Sequence, residues 1–216
     1  MIARHWWSVL TAVLSAAGGA LAQSGGWEAG FGGGASTYLK KDFNTPAGDA
    51  TAGFKTNFAA SGWLGQNLHD YVSGEIRYDF LNNDLLLQGA DRELGFDARS
   101  HALQYAILWH TSPRTSRVRP FFTCGAGIKG YFGRGEEVAA QPLREFAFLT
   151  RTSEWKFLLT FGGGVKIRLG RRWSLRAEVR DFTTPFPTGV ILPADGADLG
   201  GWIHNLVPQV GIALTF

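Results

Sequence analysis

The chain has 216 residues, 45% hydrophobic and 18% charged, with 29 glycines, 16 phenylalanines and 8 tryptophans. That is one domain's worth of chain, neither disordered nor built of membrane-spanning helices. A net charge of +3 arises from Lys and Arg that are scattered or alternate with acids, which excludes the clustered basic face of a nucleic-acid binder.

The first residues, MIARHWWSVLTAVLSAAGGALAQ, carry Arg4, an apolar run from about Trp6 to Ala17, and small residues at Ala20 and Ala22. The pattern predicts a secretory signal over residues 1–22, leaving a single domain over 23–216. The apolar run is shorter than the ~20 residues of a spanning helix. No Cys follows the expected cut, so no lipid anchor is expected, and Cys124 as sole cysteine leaves no internal disulfide.

Period-two alternation then recurs in eight stretches: Trp27 to Lys40, Gly53 to Gln66, Tyr71 to Leu81, Arg99 to His110, Arg119 to Phe132, Glu154 to Leu169, Trp173 to Thr183 and Trp202 to Phe216. Most reach the length of a tilted membrane-spanning strand, about 9 to 11 residues. The connections NLHD, TSPRTSRV and GRR are short, whereas those near Lys41 to Ala52, Asn82 to Ala98, Gly133 to Ser153 and Thr184 to Gly201 are long. Short turns on one side, long loops on the other and an even strand number predict an all-β, eight-stranded antiparallel up-and-down transmembrane barrel.

Two strands share a small repeat, TCGAGIK at Thr123 to Lys129 and TFGGGVK at Thr160 to Lys166, in which Gly and Lys occupy one face. Lipid does not tolerate the Lys, so this is the inside face. The third stretch sends Glu75, Arg77 and Asp79 to one face and the seventh sends Arg176, Glu178 and Arg180. Four apart in a ring of eight, these strands face each other with complementary charges. An ion network across the lumen is expected from Glu75, Arg77, Asp79, Lys129, Lys166, Arg176, Glu178 and Arg180, with Gly30, Gly32, Gly34, Gly125, Gly127, Gly162 and Gly164 giving the long side chains room. Eight strands enclose only enough space for their own side chains.

Motifs for chemistry are weak. GAGIKG, Gly125 to Gly130, fits G-x-G-x-x-G but continues into strand alternation rather than opening a helix. His110, Thr111 and Ser112 give an H-x-S spacing at a turn, without an acid to orient the His, and His110 is expected at an interfacial strand end. His69 and Asp70 fall in a tight turn, while His101 and His204 stand on separate strands, so no metal or cofactor is expected. Trp63, Trp109, Trp155, Trp173 and Trp202 near strand ends are expected to form interfacial girdles. Phe146, Phe148 and Leu149 are expected to extend the sixth strand.

The last residues, VPQVGIALTF, set Val210, Ile212, Leu214 and Phe216 on one face up to the final position. This ending resembles the terminal signal by which outer-membrane barrels are recognised for assembly, with Leu214 where an aromatic often stands. The stretches RPFFTCGAGIKGYF and FGGGVKIRLGRRWSLRAEVRDF resemble the closing half of the outer-membrane beta-barrel domain family, the small OmpA/OmpX-like barrels. Arg119, Pro120, Gly125, Gly127, Gly162, Gly164, Trp173, Arg176, Glu178 and Arg180 carry the likeness, which is good over Arg119 to Phe216 and a matter of pattern alone over Trp27 to His110. It implies a non-enzymatic integral barrel of the outer membrane. Its expected partners are outer-membrane lipid and, through the last strand, the barrel-assembly machinery; any ligand of the long loops is unspecified. The expected role lies in surface loops or structural support; a lipid-modifying barrel enzyme and a channel for hydrophobic solutes are the alternatives.

Overall fold

The computed structural model describes residues 26–89, 92–138 and 141–216. The expected signal, 1–22, lies outside the described residues. Eight long strands run β1 (Trp27–Tyr38), β4 (Asn57–Asn67), β5 (Val72–Leu81), β8 (Ala98–His110), β9 (Val118–Gly133), β11 (Ser153–Arg168), β12 (Trp173–Pro185) and β14 (Trp202–Thr215). Each pairs antiparallel with its chain neighbour, and β14 pairs back on β1, with Glu28 opposite Thr215 and Tyr38 opposite Asn205, so the ring closes. Closure leaves no edge, the condition for placing a sheet in hydrocarbon where no water can satisfy a free N–H.

The two faces of the wall separate by parity. Phe31, Ile76, Phe122, Phe157, Phe161, Val179 and Val210 all lie exposed on the outside, an apolar band. Their neighbours one residue along, among them Glu75, Arg77, Glu178 and Arg180, are buried in the lumen. Parity is decided here by lipid outside and mutual charge pairing inside.

The long connections carry strands of their own. Lys41–Thr45 (β2), Gly48–Phe54 (β3), Leu85–Gly89 (β6) and Arg92–Phe96 (β7) form a four-stranded sheet, while Ala147–Leu149 (β10) pairs with Ile191–Pro193 (β13). The expected second strand, Gly53 to Gln66, is therefore two elements. It breaks at Lys55, whose N–H leaves the ladder to donate to the Asp84 carbonyl at 2.8 Å, while Asn83 Nδ2 donates to the carbonyls of Lys55 at 2.7 Å and Ser36 at 3.0 Å. Nor do Phe146, Phe148 and Leu149 extend the sixth strand. Phe146 closes a turn on the Leu143 carbonyl at 2.9 Å, and Phe148 and Leu149 pair with Leu192 and Ile191.

This outer assembly shares one apolar core with the barrel rim: Phe43, Phe54, Leu85, Leu87, Leu143, Phe146, Leu149 and Ile191 are buried in one cluster with Tyr38, Ala98, Tyr131 and Ile203 of the barrel strands. Leu143 adopts a left-handed backbone (φ 65°) while only 1% exposed. That conformation is unfavourable for a branched side chain, and burial of the isobutyl group offsets it.

Candidate functional site

The lumen carries the densest chemistry in the molecule. Arg176 Nη1 donates to Glu75 Oε2 at 2.7 Å, and its Nη2 to Glu178 Oε2 at 2.8 Å. Arg180 donates through Nε to Glu178 Oε2 at 3.0 Å and through Nη2 to Glu75 Oε1. From the opposite wall Arg77 Nη1 reaches Glu178 Oε1 at 2.6 Å, while its Nε holds Asp79 Oδ1 at 2.9 Å. Side chains of these six residues are at most 2% exposed. β5 and β12, across the barrel from each other, supply all of them, so the bonds cross the axis. Two carboxylates shared among three guanidinium groups satisfy several fixed donors at once, which a Lys ammonium with its compact charge cannot do as well.

Neutral groups finish the layer. Gln209 Oε1 accepts from Ser61 at 2.6 Å and from Arg77 Nη2, and Gln104 bridges Thr160 Oγ1 at 2.6 Å and Asp79 Oδ2 at 3.2 Å.

Trp63 stands inside this layer, not in a girdle. Its indole N–H donates to Glu28 Oε1 at 3.1 Å, and Arg176 and Arg77 lie over its ring at 4.8 and 5.3 Å. Cation–π contact and a carboxylate acceptor give an aromatic side chain a place in a charged core. Room for it comes from Gly30 and Gly211, where an added Cβ would stand 2.5 and 2.7 Å from indole carbons. Trp109, Trp155, Trp173 and Trp202 are on the lipid-facing side, each roughly half exposed.

The two lysines of the expected network are separated from it and from each other. Lys166, toward the end bearing the short turns, pairs with Glu28 Oε1 at 2.9 Å. Lys129, at the opposite end, is fully buried and its Nζ makes no hydrogen bond among the described residues. It lies over the rings of Tyr38, Tyr131 and Phe182 at 4.7, 5.2 and 5.5 Å. The expectation that Lys129 joins the ion network is thus corrected: its Nζ bonds none of the carboxylates and lies among aromatic rings instead.

Among the other motifs, Gly125 and Gly127 lie mid-strand in β9, and a Cβ at either would collide with the neighbouring strand's backbone. They serve close strand approach, not a nucleotide. His110 points into the lumen floor rather than to an interface, bonded through Nε2 to Ser73 Oγ at 3.0 Å, and it does not engage Ser112. Val210, Ile212, Leu214 and Phe216 share the outward face of the end of β14.

One cluster escaped sequence reading. On the lipid-facing side of β12 and β14, His204 Nδ1 lies 2.7 Å from Asp181 Oδ2, and Thr183 Oγ1 is 3.2 Å from both. The register sets Thr183 directly opposite His204. These residues are two strands' worth of chain apart in sequence, and only pairing brings them together.

Long strands, an apolar outer band and a closed ring filled with ion pairs define a transmembrane β-barrel of the bacterial outer-membrane type. The model of the outer membrane protein beta-barrel domain matches residues 8–206, and the chain belongs to that family. Its location is the outer membrane. Among solved structures, OprG of Pseudomonas aeruginosa is 12% identical, covering 88% of this chain and 95% of that one with a TM-score of 0.59. Neisserial surface protein A is also 12% identical, over 89% and 98% of the two chains, with a TM-score of 0.55. The outer-membrane protease OmpT of Escherichia coli is 10% identical over 89% and 98%, with a TM-score of 0.50. These are likenesses of fold alone. No curated protein matches the chain by sequence.

Proposed function

We propose that this protein is a non-enzymatic, closed barrel that displays a folded sheet on the cell surface, and that the sheet is its working part. The observation that carries this reading is the cored assembly of β2, β3, β6, β7, β10 and β13, standing above a lumen plugged by Arg77, Arg176, Arg180 and their carboxylates. Loops held on a rigid scaffold are the usual carriers of function, and the outer strands pair with one another and not with the eight strands of the ring. The C-terminal face of Val210, Ile212, Leu214 and Phe216 supports recognition of the strand by the assembly machinery. Removal of the expected signal, 1–22, belongs to the same reading.

Replacing Lys41–Phe54 and Leu85–Phe96 by short turns tests it. The barrel is expected to keep its heat-modifiable gel mobility, because its ladder does not depend on the sheet. If the truncated chain instead loses that mobility, the sheet serves to hold the barrel together and the display reading fails.

A second reading, lipid modification, is favoured by one observation: the Asp181–His204 pair on the lipid-facing wall. A carboxylate on Nδ1 leaves Nε2 as the nitrogen able to take a proton, half of a hydrolytic unit. Mass analysis of lipid A from cells expressing the protein or its His204→Ala variant decides. An acyl chain lost only with the unsubstituted protein establishes the enzyme; identical spectra exclude it.

A further inference from the structure

At the end bearing the short turns the lumen opens into a cavity of about 140 Å³ lined by Arg114, Arg117, Arg119, Arg168, Arg171 and Arg172. β9 and β11 bring the first four together, since Val118 pairs with Ile167 and the Arg168 N–H donates to the Arg117 carbonyl at 2.8 Å. The turn after β11 adds the other two, and the Thr215 N–H on the Arg172 carbonyl at 2.7 Å ties that turn to the end of β14. Glu28 is the one carboxylate side chain in the lining, and it is committed to Lys166 and Trp63.

Arg119 makes this more than a basic rim. It is only 9% exposed, and its hydrogen bonds go to neutral oxygens, the Asp70 carbonyl at 2.9 Å, the Ser112 carbonyl at 3.5 Å and Asn67 Oδ1 at 3.5 Å, while the Glu28 and Asp70 carboxylates attract it only from a distance. A buried guanidinium normally finds an anion. Trp173, half exposed on the lipid-facing wall, lines the same cavity. Interfacial Trp marks the depth of lipid headgroups, so the cavity opens where headgroups lie.

We propose that this mouth binds the phosphate of an anionic phospholipid from the periplasmic leaflet of the outer membrane. The inference takes its orientation from the outer-membrane location, with short turns periplasmic, and does not depend on the display reading. Arg groups suit the task because their planar forks bind phosphate oxygens in pairs. Headgroup phosphate sits between Arg119 below and Arg171 and Arg172 at the rim, while the acyl chains run down the wall beside Trp173.

Native mass spectrometry of the full protein, mixed in detergent with phosphatidylglycerol or with phosphatidylethanolamine of the same acyl chains, reads the site directly. Retention of phosphatidylglycerol about tenfold above phosphatidylethanolamine is expected, the equivalent of about 1.4 kcal/mol. The Arg171→Gln/Arg172→Gln variant, changed only in an exposed turn, is expected to lose that preference while keeping its heat-modifiable mobility. Arg92→Gln, on the outer sheet, is expected to keep it. Inorganic phosphate forms the second arm. Equal retention of the two lipids, preference unchanged in the double variant, or binding of inorganic phosphate with no lipid retained would each overturn the proposal.

Discussion

Glu178 illustrates how one carboxylate governs a buried network. It accepts from Arg77, Arg176 and Arg180 at 2.6, 2.8 and 3.0 Å. Removing it strands three guanidinium groups in a medium where an unpaired charge is costly, so Glu178→Ala is expected to lower unfolding free energy by about 3–5 kcal/mol. Glu136→Ala, at an exposed acid on a connection, is expected to change it by less than about 0.5 kcal/mol. Urea titration in detergent followed by tryptophan fluorescence measures both, and equal midpoints would mean that the network carries no stability. Lys129 gives the opposite expectation. With aromatic rings around it and Asp79 and Asp181 attracting it only from a distance, Lys129→Met removes a buried charge that lacks a directly bonded anionic partner. The midpoint is expected to hold or rise; a fall as large as that of Glu178→Ala would show that the ammonium is needed.

At this scale the complementary charges of Glu75, Arg77, Asp79 and Arg176, Glu178, Arg180 were readable, because parity and strand number together place the two sets face to face. Which atom meets which was not, since barrel shear sets relative heights. Trp63 was misread for a physical reason. A tryptophan near the end of an alternating strand fits a lipid-facing girdle, and only the two guanidinium groups stacked on it and the Gly30–Gly211 slot reveal the inward choice.

At the scale of elements, the sequence conceals the outer sheet. β6 reads Leu85, Leu86, Leu87 with no alternation, and β2 and β7 are five residues each, too short for period two to stand out. Their cohesion comes from burial against residues distant in sequence. Phe146→Ala is therefore expected to cost about 3–5 kcal/mol by leaving a cavity in the outer core. Amide hydrogen exchange is expected to quicken in β3 and β6 while β11 and β12 keep their protection. Uniform loss of protection would show one cooperative unit in place of two.

The rim of this sheet adds a pH signature. Lys55 Nζ lies 2.8 Å from Glu93 Oε1, between side chains that are both more than two-fifths exposed. The Lys55 hydrogen bond, then Gln88, holds the Glu93 carboxyl below its ordinary value. The sign follows: the pair contributes above the ordinary carboxylate range and is lost as pH falls through the lowered value. An NMR titration of Glu93 should show a midpoint below that of an unpaired glutamate, and Lys55→Ala should raise it. Solvent screening keeps the energy small.

At the scale of the molecule, the eight-stranded ring was legible almost whole. Strand ends moved by a residue or two at most positions, and the one large shift, at Gly53 to Asn57, occurred where Lys55 leaves the ladder for the outer sheet. The period of two and the unequal connections survive in sequence because lipid and lumen each impose a rule on alternate residues. No such rule governs what lies above the membrane, which is why the outer sheet was not legible. The same contrast explains the arginine mouth: its members come from two turns and two strand ends that look unrelated until β9 and β11 pair.

The barrel is shut by its own side chains, with Arg77, Arg176 and Arg180 spanning the axis to Glu75 and Glu178. Conductance of the purified protein in planar lipid bilayers tests this most directly. Insertion without stepwise current is the expected result, since buried ion pairs between β5 and β12 span the lumen; long-lived discrete openings from the unsubstituted protein would contradict it.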